Sequence, residues 1–196
     1  MWKVNEIFHS LQGEGFNTGT ASVFIRLSGC NLRCDFCDTL HEEGTMMSLP
    51  EIVEQVIRYP KAPLIVLTGG EPSLWIDEDF VNGLKAMTSK RIAIETNGTR
   101  PLPHSIDWVT LSPKAGLGNS GEAPVVLTRC DELKVVYLGQ DLSQYDSIET
   151  SHRYLQPCWF DDPIKRRHNL QLTVRAVMDN PQWRLSLQTH RILGIR

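Results

Sequence analysis

An α/β fold with a mainly parallel sheet, shaped as a shortened and modified partial (β/α) barrel, is predicted by two features of this chain. Apolar segments of strand length alternate with segments of helical periodicity early in the sequence, which is the pattern of βα units. The chain has 196 residues, whereas a complete eight-unit barrel usually takes about 250. We therefore expect one domain over residues 1–196 with fewer units than a closed barrel.

The first predicted elements are a strand and a helix. Ser22–Leu27 is apolar and β-branched and ends at a glycine turn, which indicates a strand. Ser48 is followed three residues later by Glu51, the spacing of a capping box at a helix start. Apolar residues then recur at helical spacing until Pro60, where we expect the helix to end.

A second strand and helix follow in the same order. Leu64–Leu67 is a short apolar run and predicts a buried strand. Asp77 is placed to cap a helix that carries apolar residues on one face. Arg91–Glu95 alternates in polarity and predicts a further strand. Additional strands are expected at Trp108–Leu111, Leu133–Tyr137 and Arg184–Leu187.

A third helix is expected late in the chain. Ile164–Met178 shows helical periodicity, and its spacing places Leu170, Val174 and Val177 on the inward face. Pro113–Pro124 is rich in glycine and proline and predicts a long loop.

The composition narrows the class of protein. Hydrophobic residues make up 41% of the chain, and 20 Lys+Arg stand against 23 Asp+Glu, a net charge of −3. This excludes a disordered chain and gives no reason to expect a nucleic-acid partner. Ala62–Gly70, an apolar stretch, is far shorter than the roughly 20 residues of a membrane helix, so we expect no membrane partner. Since no signal peptide is visible in the sequence, we expect a cytoplasmic location.

Three of the five cysteines lie close together in the sequence. Cys30, Cys34 and Cys37 have the spacing C-x3-C-x2-C, which is typical of metal or redox chemistry in a reducing compartment rather than of a disulfide framework. A zinc site normally needs four ligands, and His41 is the only nearby candidate for the fourth. A [4Fe-4S] cluster held by three cysteines leaves one iron open to a small ligand. Chance clustering, or a zinc loop with a distant fourth ligand, is the alternative.

The segment Thr68-Gly69-Gly70-Glu71-Pro72 directly follows a predicted buried strand. Its glycines allow a ligand to approach the backbone closely, and Glu71 adds an acceptor. Such a strand end suits an ammonium group with its three donors. A simple strand-to-helix turn is the alternative.

Four polar side chains near these motifs are candidates for binding a small substrate. Gln12 and Glu14 combine an amide with a carboxylate, which suits the N–H and C=O edge of a pterin. Arg26 can form a bidentate pair with a carboxylate, and Thr39 can supply a hydroxyl near Mg²⁺. The alternatives are a glycine-rich turn, an outward-pointing strand arginine and a capping hydroxyl.

The motifs CNLRCDFC and LTGGEP resemble those of the radical S-adenosylmethionine (SAM) superfamily. That resemblance implies that Cys30, Cys34 and Cys37 hold a [4Fe-4S] cluster and that SAM chelates its fourth iron. Within the superfamily, SLQGEG, FIRLSGCNLRCDFCDT, ETNGT, LSPKAG, ELKVVY and LQTHRILGIR are similar to the 7-carboxy-7-deazaguanine synthase family. The resemblance covers most of the chain.

The family resemblance also implies an activity and its requirements. Members convert 6-carboxy-5,6,7,8-tetrahydropterin to 7-carboxy-7-deazaguanine, with ring contraction and loss of ammonia, in 7-deazapurine and queuosine biosynthesis. It implies Mg²⁺, a homodimer, and an electron donor such as flavodoxin or ferredoxin. A SAM-derived 5′-deoxyadenosyl radical abstracts a hydrogen atom from the substrate, and no protein side chain is implied as the catalytic radical.

Site residues carry over from the family by position. Thr39 is implied as a ligand of Mg²⁺. The implied SAM contacts are Phe36, Cys37, Asp38, Gly69, Gly70, Thr96, Asn97, Ser112, Pro113, Lys114, Gln156 and Pro157. The implied substrate contacts are Leu11, Gln12, Gly13, Glu14, Arg26, Thr68, His190 and Arg196. Cys158 and Trp159 depart from the family pattern, so their contacts are left open.

Two other functions fit part of the pattern. An activating protein for a glycyl-radical enzyme has the same cysteine triad and a similar size, but it acts on a large protein. A non-enzymatic zinc or iron–sulfur module is the second alternative, and it predicts no SAM cleavage.

Overall fold

The computed structural model describes residues 1–37, 42–114, 117 and 124–196. Within these ranges the chain forms nine strands and four α-helices. The strands are β1 Trp2–Leu11, β2 Ala21–Leu27, β3 Thr45–Met47, β4 Leu64–Gly69, β5 Arg91–Thr96, β6 Trp108–Leu111, β7 Glu132–Tyr137, β8 His152–Pro157 and β9 Arg184–Leu185. The helices are α1 Leu49–Val56, α2 Glu78–Thr88, α3 Pro163–Asp179 and α4 Thr189–Leu193, and short 3₁₀ helices span Pro72–Leu74 and Ser143–Tyr145.

All nine strands belong to one sheet in the order β3-β1-β2-β4-β5-β6-β7-β8-β9. Every pair from β2 to β9 is parallel, whereas β1 runs antiparallel to both β2 and β3. The prediction of an α/β fold with a mainly parallel sheet is therefore confirmed. Since β3 and β9 stand at opposite ends of the strand order, the sheet is open, as a partial barrel requires.

The chain shortens the barrel by omitting crossover helices. α1, α2 and α3 connect parallel strands in the usual way, but β5 continues to β6 without a helix. The described part of the connection from β6 to β7 also contains no helix, and a single 3₁₀ turn joins β7 to β8. The predicted loop Pro113–Pro124 lies partly outside the described residues.

The two faces of the sheet carry different side chains because successive residues of a strand point in opposite directions. Ile25, Ile65 and Ile92 belong to one face, where they form a core with α1 and α2. The intervening residues Phe24 and Val66 belong to a separate cluster on the other face. That second face also bears the polar strand residues described below, so it is the face that forms the site.

The local signals for helix starts are confirmed. The backbone N–H of Ser48 donates to the Glu51 carboxylate at 2.7 Å, completing the capping interaction at the start of α1. Asp77 accepts from the backbone N–H of Phe80 at 2.8 Å at the start of α2. Within the described residues, no helix is both long enough and apolar enough to cross a bilayer.

The inward face of α3 matches the predicted one only in part: Val177 packs on the core around Leu133 and Leu155. Its buried residues are Asn169, Thr173 and Ala176, whereas Leu170 is 37% exposed. The cause is a polar contact: Asn169 Oδ1 accepts from the Cys158 N–H at 2.7 Å, and its Nδ2 donates to the Tyr137 carbonyl at 2.9 Å. Apolar periodicity gives no indication of an inward-facing asparagine that joins the ends of β7 and β8.

Other differences concern strands. β1, β3 and β8 were not predicted, and β9 is shorter than the expected Arg184–Leu187. β8 begins with the polar residues His152 and Arg153 and is buried only toward its end, so its sequence lacks the apolar pattern that predicts a strand.

Replacing Asn169 with leucine should destabilise the fold. The substitution leaves the buried N–H of Cys158 and the carbonyl of Tyr137 without partners, which costs roughly 2–4 kcal/mol for the two groups together. The free energy of unfolding in urea measures this. The matched control is Leu170→Asn, which should change stability by less than about 0.5 kcal/mol. A larger loss for Leu170→Asn than for Asn169→Leu would contradict the observed face of α3.

Candidate active site

A cavity of about 300 Å³ lies on the face of the sheet opposite α1 and α2. It is lined by most of the site residues expected from the sequence: Leu11, Gln12, Gly13, Glu14, Arg26, Cys30, Cys34, Phe36, Cys37, Thr68, Gly69, Gly70, Thr96, Asn97, Ser112, Lys114, Gln156, Pro157, His190 and Arg196. Pro113 does not line it, and Asp38 and Thr39 lie outside the described residues.

The cysteine loop forms one end of this cavity. Cys30, Cys34 and Cys37 form no disulfide bond within the described residues, and none is fully buried. The Cys37 N–H donates to the Cys34 carbonyl at 3.0 Å, a tight turn within the loop. Burial raises the pKa of both the Cys30 and Cys34 thiols, and the nearby Lys114 ammonium opposes that rise.

This donor set fits an iron–sulfur cluster. Among the described residues, no three Cys, His, Asp or Glu side chains are close enough to hold a single metal ion. In a [4Fe-4S] cluster each cysteine binds its own iron, so the sulfurs do not converge on one ion. The three cavity-lining thiols are available for such a cluster once metal binding displaces their protons.

Asn31 anchors the cysteine loop to the end of β5. Its Nδ2 donates to Thr99 Oγ1 at 2.8 Å, and its Oδ1 accepts from Asn97 Nδ2 at 3.1 Å. Asn97 was expected at the SAM site. Its side-chain amide helps to position the cysteine loop through its hydrogen bond to Asn31. This connection fixes the cysteines relative to the neighbouring strand end.

The glycine pair at the end of β4 lets this strand pack directly on the start of the cysteine loop. A Cβ atom on Gly70 would lie 2.0 Å from the Gly29 carbonyl oxygen, and Gly69 has φ +138°. The Gly70 N–H donates to the Leu27 carbonyl at 3.0 Å. Both glycines also line the cavity, so this close backbone approach occurs beside the proposed ligand position.

Glu71 has a different role from the acceptor expected at a ligand site. Its side chain is buried, and it accepts from Ser73 N–H at 3.0 Å, Thr96 Oγ1 at 2.7 Å and Asn97 N–H at 2.7 Å. These three donors occupy the carboxylate, so Glu71 ties the end of β4 to the end of β5. Thr96 consequently uses its hydroxyl within the protein.

A buried lysine that the sequence did not single out forms the other end of the cavity. The side chain of Lys134, on β7, is 6% exposed and pairs with Glu14 and with Glu95, the latter at 3.0 Å. Glu95 also accepts from Gln12 Nε2 at 3.1 Å, and Thr68 Oγ1 lies 3.4 Å from its carboxylate. Three of the residues expected to contact substrate therefore belong to one network centred on Lys134.

The charges in this network reinforce one another. Burial acts to raise the pKa of Glu14, but the Lys134 ammonium outweighs it and lowers that pKa to about 2. Burial acts to lower the pKa of Lys134, but Glu14 and Glu95 outweigh it and raise that pKa above its ordinary range. At neutral pH the network therefore holds an ammonium ion and ionised Glu14 in a largely buried space.

The segment that leads into α4 closes this end of the cavity. Thr189 donates to the Gly13 carbonyl from its backbone N–H at 3.0 Å and from its hydroxyl at 2.9 Å. His190 packs so closely on Gly13 that a Cβ there would lie 2.2 Å from Nδ1. Gln188 Nε2 donates to Glu14 Oε1 at 2.9 Å.

Two arginines lie at the β1 side of the cavity. Arg26 Nε pairs with Glu6 Oε1 at 2.8 Å, and the Arg196 guanidinium pairs with the same carboxylate. The Ser10 hydroxyl donates to the main-chain oxygen of Arg196. The chain end is therefore fastened along β1, within the cavity lining.

Lys134, Glu95 and Gln188 also line the cavity, although the sequence motifs assign them no role. The one available signal was a charged residue within an apolar strand: Lys134 in ELKVVY and Glu95 in RIAIE. Cys158 and Trp159, left open before, both line the cavity. Trp159 lies between Arg166 and Arg191, whose guanidinium carbons are 4.4 Å and 5.0 Å from its ring centre.

Comparison with known proteins agrees with this geometry. The family model of the radical SAM superfamily matches residues 24–117. A 7-carboxy-7-deazaguanine synthase of Bacteroides thetaiotaomicron is 55% identical over the full length of both chains. One from Caulobacter vibrioides is 39% identical over 99% of each chain. The crystal structure of QueE from Escherichia coli is 28% identical, covers 95% of this chain and 93% of that one, and has a TM-score of 0.71.

The partial barrel, the cysteine loop and the family match define a radical SAM enzyme. Radical SAM enzymes use a [4Fe-4S] cluster and SAM, and the cysteine loop supplies the thiols for that cluster. More narrowly, the chain belongs to the 7-carboxy-7-deazaguanine synthase family.

Replacing Lys134 with methionine should destabilise the protein in a pH-dependent way. The carboxylates of Glu14 and Glu95, whose side chains are largely but not fully buried, lose their partner, which costs about 3–5 kcal/mol near neutral pH. In the wild type, the lowered pKa of Glu14 contributes stability that is present above its unfolded value and is lost as pH falls toward 2. The variant carboxylates take up protons at higher pH, so the difference from wild type should shrink with acidification.

Thermal unfolding under argon, near neutral pH and at about pH 5, measures this difference. Lys165→Met is the matched control, because Lys165 is exposed on α3. A difference between Lys134→Met and wild type that stays constant with pH would contradict the assignment of a buried ion network.

Proposed function

We propose that the protein converts 6-carboxy-5,6,7,8-tetrahydropterin to 7-carboxy-7-deazaguanine, with ring contraction and loss of ammonia, in 7-deazapurine and queuosine biosynthesis. Membership in the 7-carboxy-7-deazaguanine synthase family supports this reaction. Residues 1–196 act as one radical SAM domain, since all nine described strands belong to a single sheet.

One structural observation carries the proposal: a single cavity joins the cysteine loop to the Lys134 network. The cysteine end suits a redox cluster with SAM. The opposite end presents the carboxylate and amide acceptors of Glu14, Glu95 and Gln12, which match the N–H groups of a pterin ring. The residues that would hold the cluster and those that would bind the substrate therefore share one cavity.

Cys30, Cys34 and Cys37 would hold the cluster, with Gly69, Gly70 and the ends of β5 and β6 beside SAM. When bound and reduced, the cluster and SAM would supply the chemistry of hydrogen-atom abstraction from the substrate. Glu71 accepts hydrogen bonds from Thr96 and Asn97, and these bonds hold the ends of β4 and β5 in fixed positions.

The remaining residues position the substrate. Lys134 keeps Glu14 ionised, so that this carboxylate acts only as an acceptor toward the ring N–H groups. Arg26 lines the cavity and can pair with the substrate carboxylate. Its guanidinium would then be shared between the substrate and Glu6. His190 and the chain end at Arg196 complete the wall, which limits the access of water to the radical.

Mg²⁺ belongs to the same proposal, with Thr39 as its protein ligand. A hard cation that uses few protein ligands and several substrate oxygens suits a site with one hydroxyl. Bound Mg²⁺ would orient the substrate carboxylate and polarise it.

Three further expectations concern the surroundings of the enzyme. The cluster must receive an electron from a donor such as flavodoxin or ferredoxin. The C-x3-C-x2-C spacing of the cysteine loop, typical of metal or redox chemistry, supports a reducing, cytoplasmic setting. A homodimer is proposed on family resemblance.

The activating-protein and zinc-module alternatives have less support. The relatives carry the name of a small-molecule synthase over their full length. The cysteine loop lines the same cavity as the Lys134 ion network, which neither a protein substrate nor a structural zinc requires.

Anaerobic turnover tests the proposal. Reconstituted protein with SAM, a reductant and Mg²⁺ should form 7-carboxy-7-deazaguanine from the carboxy-tetrahydropterin, as measured by chromatography and mass. Cys34→Ala should lose both bound iron–sulfur absorbance and product. Cys130→Ala is the matched control, because Cys130 is buried away from the cavity lining and should keep both. SAM cleavage without any 7-deazapurine product would overturn the assigned reaction.

Thr39→Ala should weaken the response of turnover to Mg²⁺. Losing one oxygen ligand should raise the Mg²⁺ concentration needed for half-maximal rate by about tenfold, the effect of roughly 1.4 kcal/mol of binding energy. Thr45→Ala, an exposed position on β3, should leave that concentration unchanged. An unchanged Mg²⁺ dependence in Thr39→Ala would rule out its metal role.

A further inference from the structure

In the side-chain amide of Gln188, the nitrogen has a hydrogen-bond partner, whereas the oxygen has none among the described residues. Its Nε2 donates to Glu14 Oε1 at 2.9 Å. Its Oε1 is buried and meets no hydrogen-bond donor within the described ranges. A buried acceptor without a donor costs free energy, so such a group needs an explanation in a folded protein.

The position of Gln188 distinguishes it from other buried polar atoms without partners. Ser73 and Trp108 each keep such an atom within the described part of the chain, but neither lines the cavity. Gln188 does line it, beside Gln12 and Glu14. The residue that bears this unsatisfied oxygen therefore belongs to the group that forms the proposed substrate site.

The orientation of the amide is fixed by its neighbours. An ionised carboxylate only accepts hydrogen bonds, so the NH₂ group of Gln188 must face Glu14 and its oxygen must face away. The adjacent Thr189 holds the main chain through two hydrogen bonds to the Gly13 carbonyl. A rotation that exchanged the oxygen and the nitrogen would place oxygen against the Glu14 carboxylate.

We propose that Gln188 is a specificity-determining residue, whose Oε1 accepts a hydrogen bond from the exocyclic amino group of a 2-amino-pyrimidinone substrate. This inference rests on the proposed function. Glu14 and Gln188 place two acceptors side by side, and a 2-amino-pyrimidinone ring offers adjacent N–H donors at its amino group and ring nitrogen. A ring with a carbonyl at that position sets oxygen against oxygen, so Gln188 selects against 2-oxo analogues.

Binding of two fluorescent ring analogues tests this role. Anaerobic holoenzyme with SAM is titrated with 6-carboxypterin, which bears the 2-amino group, and with 6-carboxylumazine, which bears a carbonyl there. Quenching of ligand fluorescence gives each Kd. The wild type should bind 6-carboxypterin at least about tenfold more tightly, as expected for one hydrogen bond to a buried acceptor.

Gln188→Met should remove this preference. Its Kd for 6-carboxypterin should rise about tenfold, whereas binding of 6-carboxylumazine should not weaken. Gln171→Met is the matched control, since Gln171 is exposed on α3, and it should keep the wild-type preference. An undiminished preference in Gln188→Met would overturn the inference.

The wild type alone also decides the question if the variant does not fold. Equal binding of the two analogues by wild-type holoenzyme overturns the role of Gln188 while leaving the proposed reaction standing. A holoenzyme that cleaves SAM but binds neither analogue and makes no 7-deazapurine overturns the proposed function itself, and the inference with it.

Discussion

The ion network of Lys134 is the interaction on which the interior of this protein depends. An ammonium group on β7 lies between Glu95 of β5 and Glu14 of the loop after β1. An isolated charge in such a place is prohibitively unfavourable, so each member requires the others. Through Glu14 the same network reaches Gln188 in the C-terminal segment. Four parts of the chain that are distant in sequence are therefore aligned around one cation.

The network also explains how an open sheet encloses a cavity. A complete barrel closes through strand pairing, whereas here β3 and β9 stand at opposite ends of the sheet. The segment after β9 returns to the other side, where Thr189 bonds to Gly13 and Arg196 pairs with Glu6. Side-chain contacts of the chain end thus replace the missing strands. A short chain can then surround a small substrate without forming eight βα units.

The features that sequence predicted well are those determined locally. Asp77 caps α2 because its side chain reaches an N–H three residues away, and the cysteine spacing keeps three thiols within one loop. The partners of Glu71 and Asn169 were not predicted, because Asn97, Cys158 and Tyr137 lie 11 to 32 residues away from them, beyond any periodic pattern. Lys134 was missed for the same reason: its partner Glu14 is 120 positions distant. Sequence motifs identified most of the residues that surround the cavity, whereas the contacts that orient them needed the fold.

The positions of the strand ends follow from these long-range contacts rather than from helices. The crossover from β5 to β6 contains no helix that could brace it. Instead, Glu71 binds the end of β5, and the Ser112 N–H donates to the Thr96 carbonyl at 2.7 Å. Asn31 connects the cysteine loop to the same place. Hydrogen bonds of buried polar groups are costly to break. They can therefore hold the cysteine loop and the substrate-binding residues at a fixed distance and orientation. A reaction between a cofactor and a substrate requires such fixed positions.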